Sequence, residues 1–139
     1  MSDDIDAVVA LGRKAHALSA HATWEFDDQS AAMLLAKLRW MKDGVVWISE
    51  HDRQITGLLL GHITTPEFVK VRIATDIAFY AERPGDGKQL LRAFEQWAKD
   101  RKADEILIGV SFGGRKSDRY YERAGYTTVG GVYIKGVRQ

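Results

Sequence analysis

The sequence predicts a layered α/β (α+β) domain, a mixed central sheet flanked by helices. Three observations lead there. Apolar residues recur at helical spacing before residue 43, a hairpin pattern follows from 45 to 63, and residues 71–110 read strand, Gly-rich loop, helix, strand. The last unit requires a parallel strand pair with a right-handed crossover, and the hairpin before it makes the sheet mixed.

Each element has its own signal. Ile5, Val8, Val9, Gly12, Ala15 and Leu18 mark a first helix, with Ser2 to Asp4 able to supply its N-cap. Asp27 or Asp28 can cap a second helix with Leu34, Leu35, Leu38 and Met41 as its buried stripe; Lys42-Asp43-Gly44 is expected to end it, the glycine standing just past the last turn. Val45 to Glu50 reads as a strand, Asp52-Arg53-Gln54 as a polar turn, and Ile55 to Ile63 as the antiparallel partner. Val71 to Ala81 is a third strand, which Pro84-Gly85-Asp86-Gly87 breaks. Leu90, Leu91, Phe94, Trp97 and Ala98 then form one helical stripe ending near Lys102. Ile106 to Val110 reads as a buried strand, Arg115 to Ala124 as a short helix, and Tyr126 to Ile134 as a final strand.

Composition narrows the class. The chain has 139 residues, 45% of them apolar and 28% charged, which fits one globular domain over residues 1–139. There is no cysteine, so a disulfide scaffold, a thiolate zinc site and a cysteine nucleophile are all excluded. No apolar run reaches spanning length, and the acidic opening Met-Ser-Asp-Asp-Ile-Asp is unlike a signal peptide. A soluble, cytoplasmic protein without membrane partners is expected. The four histidines, His16, His21, His51 and His62, show no ligand spacing, so no metal is expected. The net charge of +1 hides an asymmetry: residues 83–139 carry twelve Lys/Arg against seven Asp/Glu. A basic half points to a phosphate-bearing ligand or an acidic partner, or else to a solvated helix face.

The turn Glu82-Arg83-Pro84-Gly85-Asp86-Gly87-Lys88 joins a strand to a helix. Glycines let the backbone turn tightly and approach a ligand, and the free N–H groups of a helix start favour anionic oxygens. Arg83 and Lys88 add positive charge. A Walker A loop is excluded by Glu82 and Gln89, and a dinucleotide fingerprint by Leu90 at its third glycine. Taken alone, the turn could equally be a plain connection.

It does not stand alone. A second block, Tyr121-Glu122-Arg123-Ala124-Gly125-Tyr126, precedes the expected last strand. The order of helices, hairpin, Gly-x-Gly turn, amphipathic helix and Tyr-x-x-x-Gly-aromatic block resembles the GCN5-related N-acetyltransferase (GNAT) superfamily over roughly residues 5 to 136. The resemblance implies an acyl-CoA N-acyltransferase-like fold and acetyl-CoA as cosubstrate. In that family the turn after the fourth strand reads Gln/Arg-x-x-Gly-x-Gly/Ala, and its amides bind pyrophosphate. Gly85 and Gly87 match its last two positions, while Glu82 stands at the Arg/Gln position with Arg83 one residue late. The implied cosubstrate contacts are thus Arg83, Gly85, Asp86, Gly87 and Lys88 on the turn, with Phe79 and Ala81 at the end of the strand that bonds the pantetheine arm. A splay between that strand and the next, which ends at Ser111-Phe112, would receive the arm. The family's Tyr is the acid that protonates the departing thiolate, and Tyr121 matches it. The Asn that often precedes this helix is absent, with Gly113-Gly114 nearby, and the usual first strand is short or missing.

Acyl transfer to an amine needs a base for the amine proton, a donor for the developing oxyanion and an acid for the leaving thiolate. Asp76 is the leading base because a carboxylate interrupts the apolar strand Ile73 to Phe79; it either faces solvent or is placed for a purpose. His62 is the second candidate, and a water chain could replace both. Trp24, Phe26 and Phe68 either line an acceptor pocket or anchor their loops. Arg115, Lys116, Arg119 and Arg123 either meet CoA phosphates or form a solvated face. The reading is an N-acetyltransferase that moves acetyl from acetyl-CoA to an amine of a small molecule or protein by direct attack in a ternary complex. The alternative is a catalytically silent CoA-binding or protein-interaction module of the same fold. A nucleic-acid partner is disfavoured because basic and aromatic residues do not interleave. A homodimer through the last strand follows from family habit. The acceptor itself is not legible.

Overall fold

A computed structural model describes residues 2–19, 21–109, 118–131 and 133–138. Helix α1 spans Ser2–Ala17 and α2 spans Asp28–Trp40. Ser2 to Asp4 lie inside the first turn of α1 instead of preceding it. Val8, Leu11 and Ala15 form the buried stripe of α1. Leu18, beyond the end of the helix, is exposed. Asp27 caps α2 as its sequence suggests, its carboxylate accepting from the Gln29 and Ser30 amides at 3.0 and 3.3 Å and from Ser30 Oγ at 2.8 Å.

The glycine expected to close α2 has another task. Met41 is its extended C-cap, and Gly44 opens strand β1, Gly44–His51. A Cβ at Gly44 would meet the Leu38 carbonyl oxygen at 2.8 Å, so it is close packing of strand on helix that selects glycine here. Strand β2, Gln54–Thr64, returns antiparallel through a two-residue turn in which Asp52 and Arg53 both have positive φ, 50° and 65°. Strand β3, Ile73–Ala81, pairs antiparallel with β2. Helix α3 follows over Asp86–Asp100, then the three-residue strand β4, Glu105–Leu107, parallel to β3, then helix α4, Asp118–Arg123. The sheet order is β1-β2-β3-β4.

Two apolar layers hold the sheet. Leu58 and Leu60 face α1 and α2, packing with Val8, Leu11, Leu35 and Leu38. Leu59 and Ala74 face α3, packing with Leu90, Phe94, Trp97 and Ala98. The α3 stripe read from the sequence is buried at all five positions. Phe94 fits against β2 only because residue 61 is glycine; a Cβ there would lie 2.5 Å from Phe94 Cε1.

The ladder between β2 and β3 slips at this level. Leu60 pairs with Ala78 and Gly61 with Asp76, so Ile77 is an extra residue without a partner in β2, a β-bulge. The bulge reverses the alternation along β3: Ala74 faces α3 before it, Phe79 and Ala81 face α3 after it, and Ala78 and Tyr80 turn towards α1 and α2.

The expected final strand is not formed. Residues 126–131 and 133–138 hold no regular structure, and Val129, Tyr133, Ile134 and Val137 are exposed. β-propensity alone does not make a strand; it needs a ladder partner, and Gly130, at φ +147°, interrupts the run. β4 is also shorter than expected, for a reason found at the site below. Val110, Ser111-Phe112, Gly113-Gly114, Arg115 and Lys116 lie outside the described residues.

Candidate active site

The parallel ladder between β3 and β4 runs only from Ile73↔Glu105 to Thr75↔Leu107. One residue later Asp76 Oδ1 accepts the backbone N–H of Gly109 at 2.9 Å. A side chain thus takes the hydrogen bond that a continuing ladder would have used, so regular pairing stops where the β3 bulge begins. Asp76 is half-buried in a mostly apolar wall. Burial pushes its carboxyl above the usual range, while bonds from Gly109 and from its own backbone pull it part of the way back.

Tyr121 lies within electrostatic range of Asp76. Burial raises its phenol to about 12, and the charges of Asp76 and then Tyr120 add to the shift. The two sequence candidates for catalysis therefore lie within electrostatic reach of one another. The spacing of the Tyr121 block has a local cause as well. Gly125 N–H bonds the Glu122 carbonyl at 3.1 Å, Tyr126 N–H bonds the Tyr121 carbonyl at 2.9 Å, and Gly125 has φ +94°. These are the two bonds and the left-handed residue of a Schellman cap, with Tyr121 at C3, Gly125 at C′ and Tyr126 at C″. The Tyr121 and Tyr126 rings meet edge-on at 5.6 Å, supplying the apolar contact that accompanies the motif. Tyr126 Oη donates to Glu95 Oε2 at 2.8 Å, which ties the cap to α3 and, with burial, drives the Tyr126 phenol up.

The Gly-rich turn is built as the helix start the sequence implied. Gly85 is the N-cap of α3 in left-handed conformation (φ 89°, ψ −25°), and no side chain caps the helix. Asp86 N–H bonds the Arg83 carbonyl and Gln89 N–H bonds the Gly85 carbonyl. The Gly87 and Lys88 amides are left without a partner among the described residues. Nothing lies within 4 Å of a would-be Cβ on Gly85, and the one on Gly87 would meet Ala81 Cβ at 3.8 Å and Phe79 Cζ at 3.9 Å. Phe79 and Ala81 thus share one face, as period two requires, and pack under the turn on the α3 layer.

Two groups behave differently from the sequence reading. The Asp86 side chain turns away from the turn's open face. Its Oδ1 lies 2.9 Å from His51 Nε2, its Oδ2 accepts from Thr56 Oγ1 at 2.8 Å, and it is buried. The His51 bond, then Thr56 and the nearby Arg83 charge, hold its carboxyl below the usual range against burial. Asp86 is therefore an anchor of α3 to the hairpin, and only its backbone belongs to the turn. Glu82, at the position where the family carries Arg or Gln, is paired with Lys14 of α1, Nζ to Oε2 3.6 Å. Arg83 and Lys88 are exposed at the turn. His62 pairs with Thr75, one residue before Asp76; burial and then the Lys37 charge lower its pKa.

A cleft of about 420 Å³ lies between α1, α2 and the sheet, reaching β3 at Ile77 and Ala78. Phe26 lines it, with its ring 5.4 Å from that of His16. Trp24 and Phe68 do not line it and are exposed, 62% and 95%, so neither anchors a loop. His16 and His21 both border this cleft although their spacing misses a shared helix face, because His21 follows the end of α1. Arg119 and Arg123 are exposed on α4. No group of three or more potential metal ligands occurs among the described residues. Among them, too, no helix is long and apolar enough to cross a membrane.

The model of the acetyltransferase (GNAT) family matches residues 14–126. The chain belongs to the GNAT acetyltransferase family. No curated protein matches it. Among solved structures, a transcriptional regulator of Bacillus halodurans is 16% identical with a TM-score of 0.76, over 98% of this chain and 95% of that one. A ribosomal-protein-alanine N-acetyltransferase of Brucella melitensis is 14% identical with a TM-score of 0.71, over 97% and 93%. An aminoglycoside N-acetyltransferase in complex with CoA is 13% identical with a TM-score of 0.75, over 99% and 91%. At these identities the structures share this chain's fold. The mixed sheet flanked by helices is the GNAT acetyltransferase architecture, and members of that family are acyl-CoA-dependent N-acetyltransferases.

Proposed function

We propose that the protein is an acetyl-CoA-dependent N-acetyltransferase in which an amine attacks the thioester directly. The observation that carries this reading is the meeting of three features midway along β3: the close of the β3–β4 ladder at Thr75, the Ile77 bulge, and Asp76 with Tyr121 in electrostatic range. The residues present suit acetyl-CoA, which supplies the activated acetyl group. The Gly87 and Lys88 amides, at the positive end of the α3 dipole, are donors suited to pyrophosphate, with Arg83 and Lys88 as nearby cations. Lys14 offsets the charge of Glu82, so that departure from the family pattern leaves the turn's net field favourable to phosphate. Phe79 and Ala81 form the floor of the turn.

The remaining chemistry falls to three groups. A lysine-like amine has a pKa of about 10 and must lose a proton before it attacks. The amine attacks as its free base, and Asp76, with its carboxyl raised by burial and so a stronger base than an exposed aspartate, takes the proton the nitrogen sheds as the amide forms. Ile77 has no register partner in β2, and in this reading its N–H is the donor to the developing oxyanion. Tyr121, fully protonated at neutral pH, is placed to donate to the leaving thiolate. The chain has no cysteine to carry an acyl group, and direct attack in a ternary complex is the reading adopted. The test is initial-rate kinetics with both substrates varied: intersecting lines are expected, and CoA release from acetyl-CoA only when an amine is present. Parallel lines with an acetylated enzyme would refute direct attack.

A further inference from the structure

The cleft between α1, α2 and the sheet has a composition that selects its occupant. Its walls are hydrocarbon and aromatic, set by residues such as Val9, Gly12, Leu34, Phe26 and Ile77. Its described lining includes no Asp, Glu, Lys or Arg. The Ser19 hydroxyl and the His16 ring at its rim are engaged in shaping the α1–α2 connection, which leaves the His21 ring as a polar group at the rim: Ser19 Oγ donates to the His16 carbonyl at 2.8 Å and accepts from the His21 backbone N–H at 3.2 Å, and His16 Nε2 bonds the Trp24 carbonyl at 2.6 Å. A ligand with several fixed positive charges would lose hydration there and find no carboxylate in return. A volume of about 420 Å³ lies at the small end of ligand pockets, which run from about 300 to 1,000 Å³.

We propose that this cleft is the acceptor site and takes a small apolar monoamine, a primary amine on one aromatic or branched aliphatic body, while polycationic amines are excluded. The proposal rests on the transferase reading for its purpose, but the binding it asserts does not depend on it. The cleft reaches β3 at Ile77, next to Asp76, so an amine whose body fills it can direct its nitrogen to the bulge. An apolar wall disfavours the ammonium form, which leaves the nitrogen as the free base. In the transfer the nitrogen forms a bond to the acetyl carbonyl carbon and the carbon–sulfur bond breaks. The nitrogen's proton goes to Asp76 and the sulfur takes one from Tyr121, giving an amide and CoA thiol.

The test uses calorimetric titration of the whole chain with phenethylamine and its N-acetyl derivative, with spermidine and kanamycin as polycationic comparisons, and a separate titration with acetyl-CoA. Gly12→Leu fills the cleft from α1, where a Cβ is tolerated at 3.6 Å from Phe26 Cζ. We expect the two phenyl ligands to bind, the polycations not to, and Gly12→Leu to weaken phenyl binding at least tenfold with acetyl-CoA affinity unchanged within about twofold. If circular dichroism shows Gly12→Leu to be unfolded, Ala31→Leu on the α2 wall takes its place. Absent phenyl binding, binding indifferent to the filled cleft, or a preference for spermidine or kanamycin overturns the proposal. Phenyl binding without any acetyl-CoA binding would uphold the cleft as a ligand site and refute the transferase reading.

Discussion

Tyr121 and Asp76 are chemically matched by the environments that β3 and the α4 cap give them. A phenol raised to about 12 stays protonated through the physiological range and serves as a donor. Tyr121→Phe keeps the ring contacts at 5.8 and 5.6 Å with Tyr120 and Tyr126 but removes the proton. Turnover should fall roughly 100-fold or more, the scale of a lost general acid, while the Kd for CoA measured by calorimetry stays within about twofold. For Asp76 the direction of the shift sets the sign. Its folded pKa lies above 3.8, so the base is lost as pH falls through that raised value and activity rises with pH across it. Asp76→Asn retains an oxygen for the Gly109 N–H, and kcat/KM measured against pH should lose this acidic limb together with most of the rate. A retained limb would assign it to another group.

At the scale of elements, the site depends on how α3 is joined to the hairpin. Asp86, the first residue of α3, is bonded to His51 of β1 and Thr56 of β2, and this fixes the helix start that presents the Gly87 and Lys88 amides. Asp86→Ala leaves the partly buried Thr56 hydroxyl and the His51 ring unpaired, which costs about 1–3 kcal/mol and should lower the urea midpoint. Because the folded-state pKa of Asp86 is depressed, its contribution is complete above its unfolded value near 3.8 and is lost as pH falls below it. The wild type should therefore lose more stability than Asp86→Ala on acidification below that pH, and identical pH profiles would contradict the assignment. None of this was legible from the turn. The sequence shows an aspartate between two glycines, and its partners stand 35 and 30 residues earlier. What was legible were local patterns: the Asp27 cap, the α3 stripe, and the Tyr121-to-Gly125 spacing that a Schellman cap dictates.

Over the whole molecule, the hairpin of β1 and β2 and the parallel pairing of β3 with β4 across α3 are legible from simple rules, whereas nothing in the sequence marks the antiparallel pairing of β3 with β2. The misreadings came where tertiary contacts override local preference. Gly44 is a packing glycine and not a helix stop, β4 yields a hydrogen bond to the Asp76 side chain, and the β-rich segment after Tyr126 has no strand partner among the described residues. The bulge at Ile77 was invisible because nothing in Ile73 to Phe79 marks the extra residue. Charge is also arranged at this scale: Lys14, thirteen residues into the chain from Met1, pairs with Glu82 beside the turn. The proposed chemistry depends on this turn binding acetyl-CoA. Calorimetric titration with acetyl-CoA, with CoA as comparison, tests it most directly. We predict micromolar binding of both, about 8 kcal/mol, weakening as salt screens the cations around the turn. No binding at millimolar ligand would rule out the transferase reading and leave the fold as an interaction module whose partner is a macromolecule.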